Sequence, residues 1–119
     1  GHLIDVMATC LDVSGARYPA EFRGEKITPL EGRSLLKARG ERALYWEHEG
    51  NRAVRQGRWK LVSRYPGQWE LFDLEADRTE LHDLSGSNAG QVAAMAAQYD
   101  AWAKARNVAP WGELPKPLA

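Results

Sequence analysis

The residues with the clearest chemical potential lie in a short polar cluster, EHEGNR at positions 47–52. A histidine can donate a hydrogen bond to an anion or act as an acid or base, and an arginine can hold an anion with two parallel hydrogen bonds. His48, Asn51 and Arg52 surround a turn signal at Gly50, and functional side chains often lie on turns. The cluster predicts either a contact site for an anion or the polar end of a hairpin, and the residues alone leave both interpretations open.

The other two histidines could take part in metal binding. His2 and Asp5 are three residues apart on a predicted helix. This spacing suits a local hydrogen bond as well as a pair of metal ligands, but no third ligand lies nearby. His82 lies in an acidic stretch that lacks the spacing of a calcium-binding loop. We therefore favour loop solvation or the capping of a turn for His82.

The single cysteine, Cys10, excludes an intramolecular disulfide and any zinc site built from several cysteines. It falls on or next to the apolar stripe of a predicted helix. Because no histidine or basic residue is its near neighbour, a buried structural thiol is favoured over a nucleophile. The sequence also lacks the G-x-S-x-G and H-E-x-x-H patterns and a phosphate-binding glycine loop.

Size and composition limit the classes of function. At 119 residues the chain is expected to form at most one domain with a modest core. A formal net charge of zero argues against a general nucleic-acid binder, which usually has a basic excess. No apolar run is long enough to span a bilayer, and no signal peptide is recognised. We therefore expect neither nucleic acid nor a membrane as a partner.

The charges are distributed unevenly along the chain. Residues 33–64 contain nine Lys or Arg against three Glu, whereas residues 70–83 contain six Asp or Glu against one Arg. This pattern predicts either two solvated faces that partly neutralise each other or a basic face that attracts an anion.

The elements that must position these residues begin with a short helix over residues 1–15. Gly15 suits the left-handed position that follows a helix. The apolar stripe of this helix consists of Leu3, Ile4, Met7 and Leu11. Residues 16–40 are predicted to be an irregular connection with one helical turn over residues 34–38. A helix at the first residue and a long irregular segment after it predict that a partner domain is missing.

Four strands are predicted over residues 43–47, 52–55, 59–63 and 69–73, each closed by a turn signal. Gln56-Gly57 predicts a tight hairpin with Gly57 at positive φ. The sequence YPGQ at 65–68 predicts a type II turn. Residues 74–84 are expected to be an acidic loop with three leucines anchored in the core. These are Leu74, Leu81 and Leu84.

The strongest helix signal covers residues 87–107. Its apolar stripe consists of Val92, Met95, Ala96, Tyr99, Trp102 and Ala103. Asn88 and Gln91 resemble a capping box at its start, and residues 111–119 are expected to be extended. The predicted fold class is α+β: a four-stranded antiparallel sheet packed by a long C-terminal helix, plus a short N-terminal helix.

Several segments resemble the sulfatase family of the alkaline phosphatase-like superfamily. HLIDVMATCLDVSG at 2–15 is similar to the family pattern H-x-x-D-x-x-x-T-x-L-D-x-x-G, and GRSL at 32–35 resembles the G-x-S-L that follows it. WEHEGNRAVR at 46–55, GRWKLV at 57–62 and WELFDL at 69–74 resemble the C-terminal subdomain of bacterial arylsulfatase-like enzymes. The resemblance covers nearly the whole chain.

In that family a large N-terminal α/β domain carries the active site. Its C-x-P/A-S-R motif contains a cysteine that becomes formylglycine, and its Asp and Asn residues bind a divalent cation, usually calcium. Here Cys10 is followed by LDV at 11–13 instead. The resemblance therefore implies that residues 1–119 are a C-terminal subdomain without its catalytic domain. Calcium and formylglycine are expected in the longer protein and not in this chain.

The resemblance also implies a role for the polar cluster. In such enzymes a loop near the first hairpin of the subdomain can reach the substrate pocket. By this analogy His48, with Asn51 and Arg52, is the candidate for contact with the sulfate ester. No catalytic residue and no metal ligand are expected within the chain.

Two functions from different classes follow. The first is the non-catalytic part of a sulfatase, whose partners are the catalytic domain of the same polypeptide and a sulfate ester. That chain would be inactive alone and could self-associate through an exposed apolar surface. The alternative is a stand-alone binding module for an anionic glycan or a protein, which predicts a monomer with affinity for a sulfated ligand. The periplasm and the cell exterior are candidate compartments for the longer enzyme, and the sequence does not choose between compartments.

Overall fold

Four segments with alternating apolar side chains form one antiparallel sheet in the computed structural model, which describes residues 1–37 and 40–114. The strands are β3 (Ala43–His48), β4 (Asn51–Gln56), β5 (Trp59–Ser63) and β6 (Glu70–Asp73). Each pairs with the next in chain order. The four predicted strands are confirmed, with their ends shifted by one residue at most.

The strand register selects which side chains form the core. Val54 lies opposite Leu61, and Leu61 lies opposite Leu71. Residues that are directly opposite each other share a face of the sheet, because side chains alternate along each strand. All three are fully buried, so this face is the inner one.

Helix α2 (Ala89–Ala105) covers the inner face. Met95 and Tyr99 are its buried residues, and they belong to the same core cluster as the three strand residues. Trp102 stacks on Tyr45 of β3 with ring centroids 5.2 Å apart. The predicted stripe and the α+β fold class are confirmed.

The helix begins without the predicted capping box. Asn88 is the residue before α2, but its side chain makes no capping hydrogen bond. Its amide nitrogen donates instead to the carbonyl of Leu84 at 3.2 Å and to the hydroxyl of Ser87 at 3.0 Å. The side chain thus ties the helix to the preceding loop.

The turn between β5 and β6 also differs from the prediction. The amide of Gly67 donates to the carbonyl of Arg64, so the turn starts one residue earlier than expected. The Tyr65–Pro66 peptide is cis, and Gly67 does not have positive φ. A type II turn needs positive φ at that glycine. In contrast, Gly57 has φ 57° in the β4–β5 turn, as predicted.

The acidic loop after β6 is organised by Asp77. Its carboxylate accepts hydrogen bonds from the amides of Leu81 at 3.0 Å and His82 at 2.8 Å. These bonds lower the pKa of Asp77. The Leu81 side chain is 74% exposed, so its predicted role as a core anchor is wrong, whereas Leu84 packs against the core.

An ion pair joins the basic and acidic stretches. Arg58 donates two hydrogen bonds to the carboxylate of Asp73, which also accepts from the amides of Glu75 and Ala76. Asp73 is buried. The bond from Arg58 is the largest cause that lowers the pKa of Asp73; burial opposes it.

We expect Asp73→Asn to destabilise the chain at pH 7 and much less at pH 3. A carboxyl group whose pKa is lowered in the folded state stabilises it above the unfolded pKa of about 3.9, and this contribution is lost as the pH falls through the folded value. Urea midpoints at the two pH values measure the effect. Asp100→Asn, on the exposed side of α2, is the control. An equal loss for Asp73→Asn at both pH values would contradict the ionic role.

Residues Gly1–Gly40 form a separate compact unit from Glu41–Ala119. Its helix α1 (Asp5–Ser14) ends at Gly15, which has the predicted left-handed conformation with φ 74°. A small hairpin of β1 (Glu21–Phe22) and β2 (Glu25–Lys26) lies within the segment predicted to be irregular. The pair Arg23-Gly24 can make its tight turn because both residues have positive φ.

Three polar side chains of α1 hold the segment that contains GRSL. Asp5 accepts from the amide of Arg33 at 2.9 Å, Thr9 accepts from the amide of Leu35 at 2.9 Å, and Asp12 accepts from the hydroxyl of Ser34 at 2.7 Å. These contacts hold a single turn at residues 34–37 against α1. Ala38, the last residue of the predicted turn, lies outside the described residues.

This arrangement reverses the expected orientation of α1. Asp5 is its buried residue, at 1% exposure, whereas much of the predicted apolar stripe is exposed. Cys10 is exposed as well, so the expectation of a buried thiol is wrong. The polar side faces inward because its hydrogen-bond partners lie in the 33–37 segment.

The last described residues form a 3-10 helix, Trp111–Glu113, where an extended tail was expected. The rest of that predicted tail, residues 115–119, lies outside the described part. Within residues 1–37 and 40–114, no helix has the length and apolar character needed to cross a membrane.

Candidate functional site

The polar cluster forms the tip of the β3–β4 hairpin. His48 lies opposite Asn51, and the two residues between them make the turn. Glu49 has φ 51° and Gly50 has φ 82°. Positive φ at both central residues is the geometry that matches the twist of a two-residue hairpin. The turn therefore presents His48 and Asn51 on the same face of the sheet.

Gly50 fixes this tip against the rest of its unit. A Cβ atom there would lie 2.8 Å from Cγ of Tyr65 and 2.9 Å from Cβ of Trp111. The amide of Gly50 also donates to the carboxylate of Glu47 at 2.8 Å. Close packing on one side and a hydrogen bond on the other hold the turn in place.

His48 is the most available of the three predicted residues. Its side chain is 83% exposed, and the nearest carboxylate oxygen, on Glu49, lies 3.9 Å from Nδ1. An exposed imidazole on an anchored turn can donate a hydrogen bond to an anion that approaches from solvent.

Asn51 is occupied with holding the turn. Its side-chain amide donates to the carbonyl of His48 at 3.0 Å, and its side-chain oxygen accepts from the amide of Tyr65 at 3.1 Å. Both ends of the side chain are used within the chain. This geometry suits a residue that positions His48.

Arg52 is held by aromatic rings. Its guanidinium carbon lies 4.3 Å from the centroid of Trp69 and 5.7 Å from that of Tyr99, both within the range of a cation–π contact. One terminal nitrogen donates to the hydroxyl of Ser63 at 3.2 Å. These contacts make Arg52 part of the packing between the sheet and α2.

All three predicted residues border one open groove on the sheet, with a volume of about 1020 Å³. An apolar row crosses its floor, because Trp46 lies opposite Ala53 and Ala53 lies opposite Val62. The residue types alone do not single out this row. Its signal was the alternation in 43–47, 52–55 and 59–63, but only the register joins the three strands into one surface.

The groove has little net charge. Four Arg or Lys residues and three Asp or Glu residues line it. Arg55 lies opposite Lys60, but Lys60 also pairs with Glu80 at 2.7 Å. The basic and acidic stretches therefore partly neutralise each other here, as the first of the two charge interpretations predicted.

The residues considered as metal ligands have other roles. The amide of His2 donates to Asp5 at 2.8 Å, and the ring of His2 accepts from the amide of Ile4 at 3.1 Å. Within the described ranges, no three His, Cys, Asp or Glu side chains converge where they could hold a metal ion. Cys10 lies on α1 and is not within a C-x-P/A-S-R motif. The described residues thus do not fit calcium or formylglycine, and both stay expectations for a longer protein.

Comparison with known families settles the relationship. Residues 2–102 match the family described as N-sulphoglucosamine sulphohydrolase, C-terminal. The chain belongs to this family. This family is the C-terminal subdomain of sulfatases. It is the part of a sulfatase that the strands and α1 of this chain resemble. The match includes the GRSL segment, the hairpin tip and most of α2.

One curated relative is similar to this chain in sequence, and two solved structures share its fold. An uncharacterized sulfatase of Schizosaccharomyces pombe is 26% identical over 96 residues, which cover 70% of this chain and 17% of that protein. A structure of BT4656 in complex with D-glucosamine-2-N,6-O-disulfate shares the fold with a TM-score of 0.62 at 20% identity, over 92% of this chain and 25% of that one. The crystal structure of Ps i-CgsB gives a TM-score of 0.61 at 22% identity, over 82% and 23%. The chain spans about a quarter or less of the length of each.

The N-terminal motif that resembles the family pattern has a physical role in this structure. Three side chains of α1 bind the GRSL segment, and all three belong to this motif. They are Asp5 and Thr9 of H-x-x-D-x-x-x-T, and Asp12, which lies seven residues after Asp5. Their spacing of four and three residues places them on one side of a helix. The spacing can be read from the sequence, but the sequence does not show which segment these side chains bind.

Proposed function

We propose that this chain is the non-catalytic C-terminal portion of a sulfatase that hydrolyses sulfate esters. The observation that carries the proposal is the family match over residues 2–102, together with the small share of each relative that the chain covers. In this role the chain supports a catalytic domain of the same polypeptide. That domain would hold the calcium ion and the formylglycine.

In this proposal the β3–β4 hairpin lines part of the substrate pocket. His48 is exposed, lies on a turn anchored at Gly50 and is positioned by Asn51. It would donate a hydrogen bond to an anionic oxygen of the sulfate ester. Arg52 would act mainly by holding the hairpin against α2, because two rings and Ser63 already engage its guanidinium.

The first test is turnover of a generic aryl sulfate with added calcium. We expect none from this chain alone and turnover from a longer polypeptide that contains it. Turnover by the chain alone would contradict the proposal. No turnover by the longer polypeptide, combined with binding of a sulfated saccharide by this chain alone, would favour a stand-alone binding module.

We expect His48→Ala in the longer polypeptide to lower kcat/KM for a sulfate ester by roughly 10- to 100-fold. A hydrogen bond to a charged group contributes about 1.5–3 kcal/mol, and a tenfold effect corresponds to about 1.4 kcal/mol. His82→Ala is the matched control, because His82 is also an exposed histidine on a loop. Equal activity of both variants and the wild type would exclude His48 from the pocket.

A further inference from the structure

The chain turns back toward the sheet directly after α2. Asn107 has φ 55°. The amide of Val108 donates to the carbonyl of Ala103 at 2.9 Å, and the amide of Asn107 donates to that of Lys104 at 3.3 Å. These two bonds around a left-handed residue are the Schellman motif, which ends helices. The turn is therefore fixed at the end of α2, and it leads into residues 108–113, here called the strap.

The strap meets the tip of the β3–β4 hairpin at Trp111. A Cβ atom at Gly50 would lie 2.9 Å from Cβ of Trp111, and a Cβ atom at Gly112 would lie 3.1 Å from the hydroxyl oxygen of Tyr65. Gly50 is buried, although residues in hairpin turns are normally exposed on the surface. Trp111 and Tyr65 thus cover this glycine, and the strap packs against the turn that presents His48.

A cavity lies next to the tip, between the hairpin, the strap and the end of α2. Its volume is about 300 Å³, and Gly50, Trp111 and Ala103 are among the residues that line it. A cavity supplies no van der Waals contacts to the atoms that border it. The packing of Trp111 and Tyr65 on Gly50 therefore carries more of the restraint on the turn than it would in a filled core.

We propose that Trp111 is a positioning residue for His48, an inference that rests on the proposed function. The side chain of His48 is 83% exposed, so its own packing does little to fix the direction in which it donates a hydrogen bond. The backbone of the turn sets that direction, and Trp111 packs on the turn two residues after His48. A displacement of about 1 Å at a site that orients a substrate can cost up to about 100-fold in rate. Trp111 thus acts through the imidazole and does not itself touch the sulfate ester.

The first part of the test uses the 119-residue chain and needs no activity. We expect Trp111→Ala to speed hydrogen exchange of the Gly50 amide, which donates to Glu47, at least about tenfold, because a turn that loses its packing opens locally. The amide of Leu61 in the core should exchange as in the wild type. Leu114→Ala is the control, since Leu114 follows the strap and has the same exposure as Trp111, 42%. It should alter neither amide.

The second part is a double-mutant cycle in the longer polypeptide, with kcat/KM for an aryl sulfate as the readout. We expect Trp111→Ala to lower kcat/KM about tenfold when His48 is present and less than about twofold in the His48→Ala background, because a residue that acts through His48 has nothing to position once the imidazole is gone. Trp111→Phe keeps an aromatic ring on the turn and should restore most of the activity. Leu114→Ala should have no effect in either background.

Two results would overturn the proposal. Unchanged exchange of the Gly50 amide in Trp111→Ala would mean that the indole does not hold the turn. An equal loss of kcat/KM with and without His48 would mean that Trp111 acts independently of the imidazole. Absence of turnover by the wild-type longer polypeptide would contradict the proposed function instead, and the exchange measurement, which uses no substrate, would still decide whether Trp111 holds the tip.

Discussion

Leu61→Ala is expected to lower the free energy of unfolding of the Glu41–Ala119 unit by about 3 kcal/mol. Leu61 is fully buried and lies between Val54 and Leu71 on neighbouring strands. It belongs to the same cluster as Met95 and Tyr99 of α2. Truncation of a fully buried leucine removes apolar burial and leaves a cavity, and the two effects together cost about 2–5 kcal/mol. Urea unfolding followed by tryptophan fluorescence measures the change.

Val62→Ala is the matched control, because Val62 is the next residue and faces the groove. It is only half-buried, so we expect a loss of about 1 kcal/mol or less, at about 0.8 kcal/mol per buried methylene. Similar losses for the two variants would contradict the assignment of the inner face. A smaller loss for Leu61→Ala than for Val62→Ala would place Val62, and not Leu61, on the inner face.

Gly32→Ala is expected to release the GRSL segment from α1. A Cβ atom at Gly32 would overlap the carbonyl oxygen of Ile4 and lie 2.7 Å from its carbonyl carbon. Backbone atoms cannot move aside as a flexible side chain can, so the segment must shift and weaken the bond from Arg33 to Asp5. Overpacking typically costs about 1–3 kcal/mol. A loss of about 2 kcal/mol would raise the opening equilibrium roughly 30-fold.

Hydrogen exchange of the Arg33 and Leu35 amides measures this effect directly, because both amides donate to side chains of α1. Gly86→Ala is the control: a Cβ atom there meets nothing within 4 Å, and its φ is not positive. We expect that change to leave exchange in residues 33–37 unaltered and the global stability unchanged or slightly raised. Normal protection of Arg33 in Gly32→Ala would show that the segment tolerates the added atom.

The candidate site could be predicted in position but not in the roles of its members. The sequence placed His48, Asn51 and Arg52 around a hairpin turn, and the structure has them at that turn. Their residue types did not indicate which of the three side chains is available to bind a ligand. Asn51 is used by the backbones of His48 and Tyr65, and Arg52 is covered by Trp69. Tyr65 and Trp69 are distant from the turn in the chain, and hydrophobic periodicity carries no information about such contacts.

What the sequence by itself determined was the set of local elements and the family. The four strands, α2 with its core stripe, and the turns at Gly15 and Gly57 depend on alternation, helical spacing and positive φ, which are properties of neighbouring residues. The tertiary structure alone decided which side of α1 is covered. The helix α1 was expected to bury its apolar stripe, yet it buries Asp5. The physical reason is that a buried carboxylate needs hydrogen-bond donors. Two backbone amides supply them to Asp5: that of His2, three residues earlier, and that of Arg33, 28 residues away in the chain.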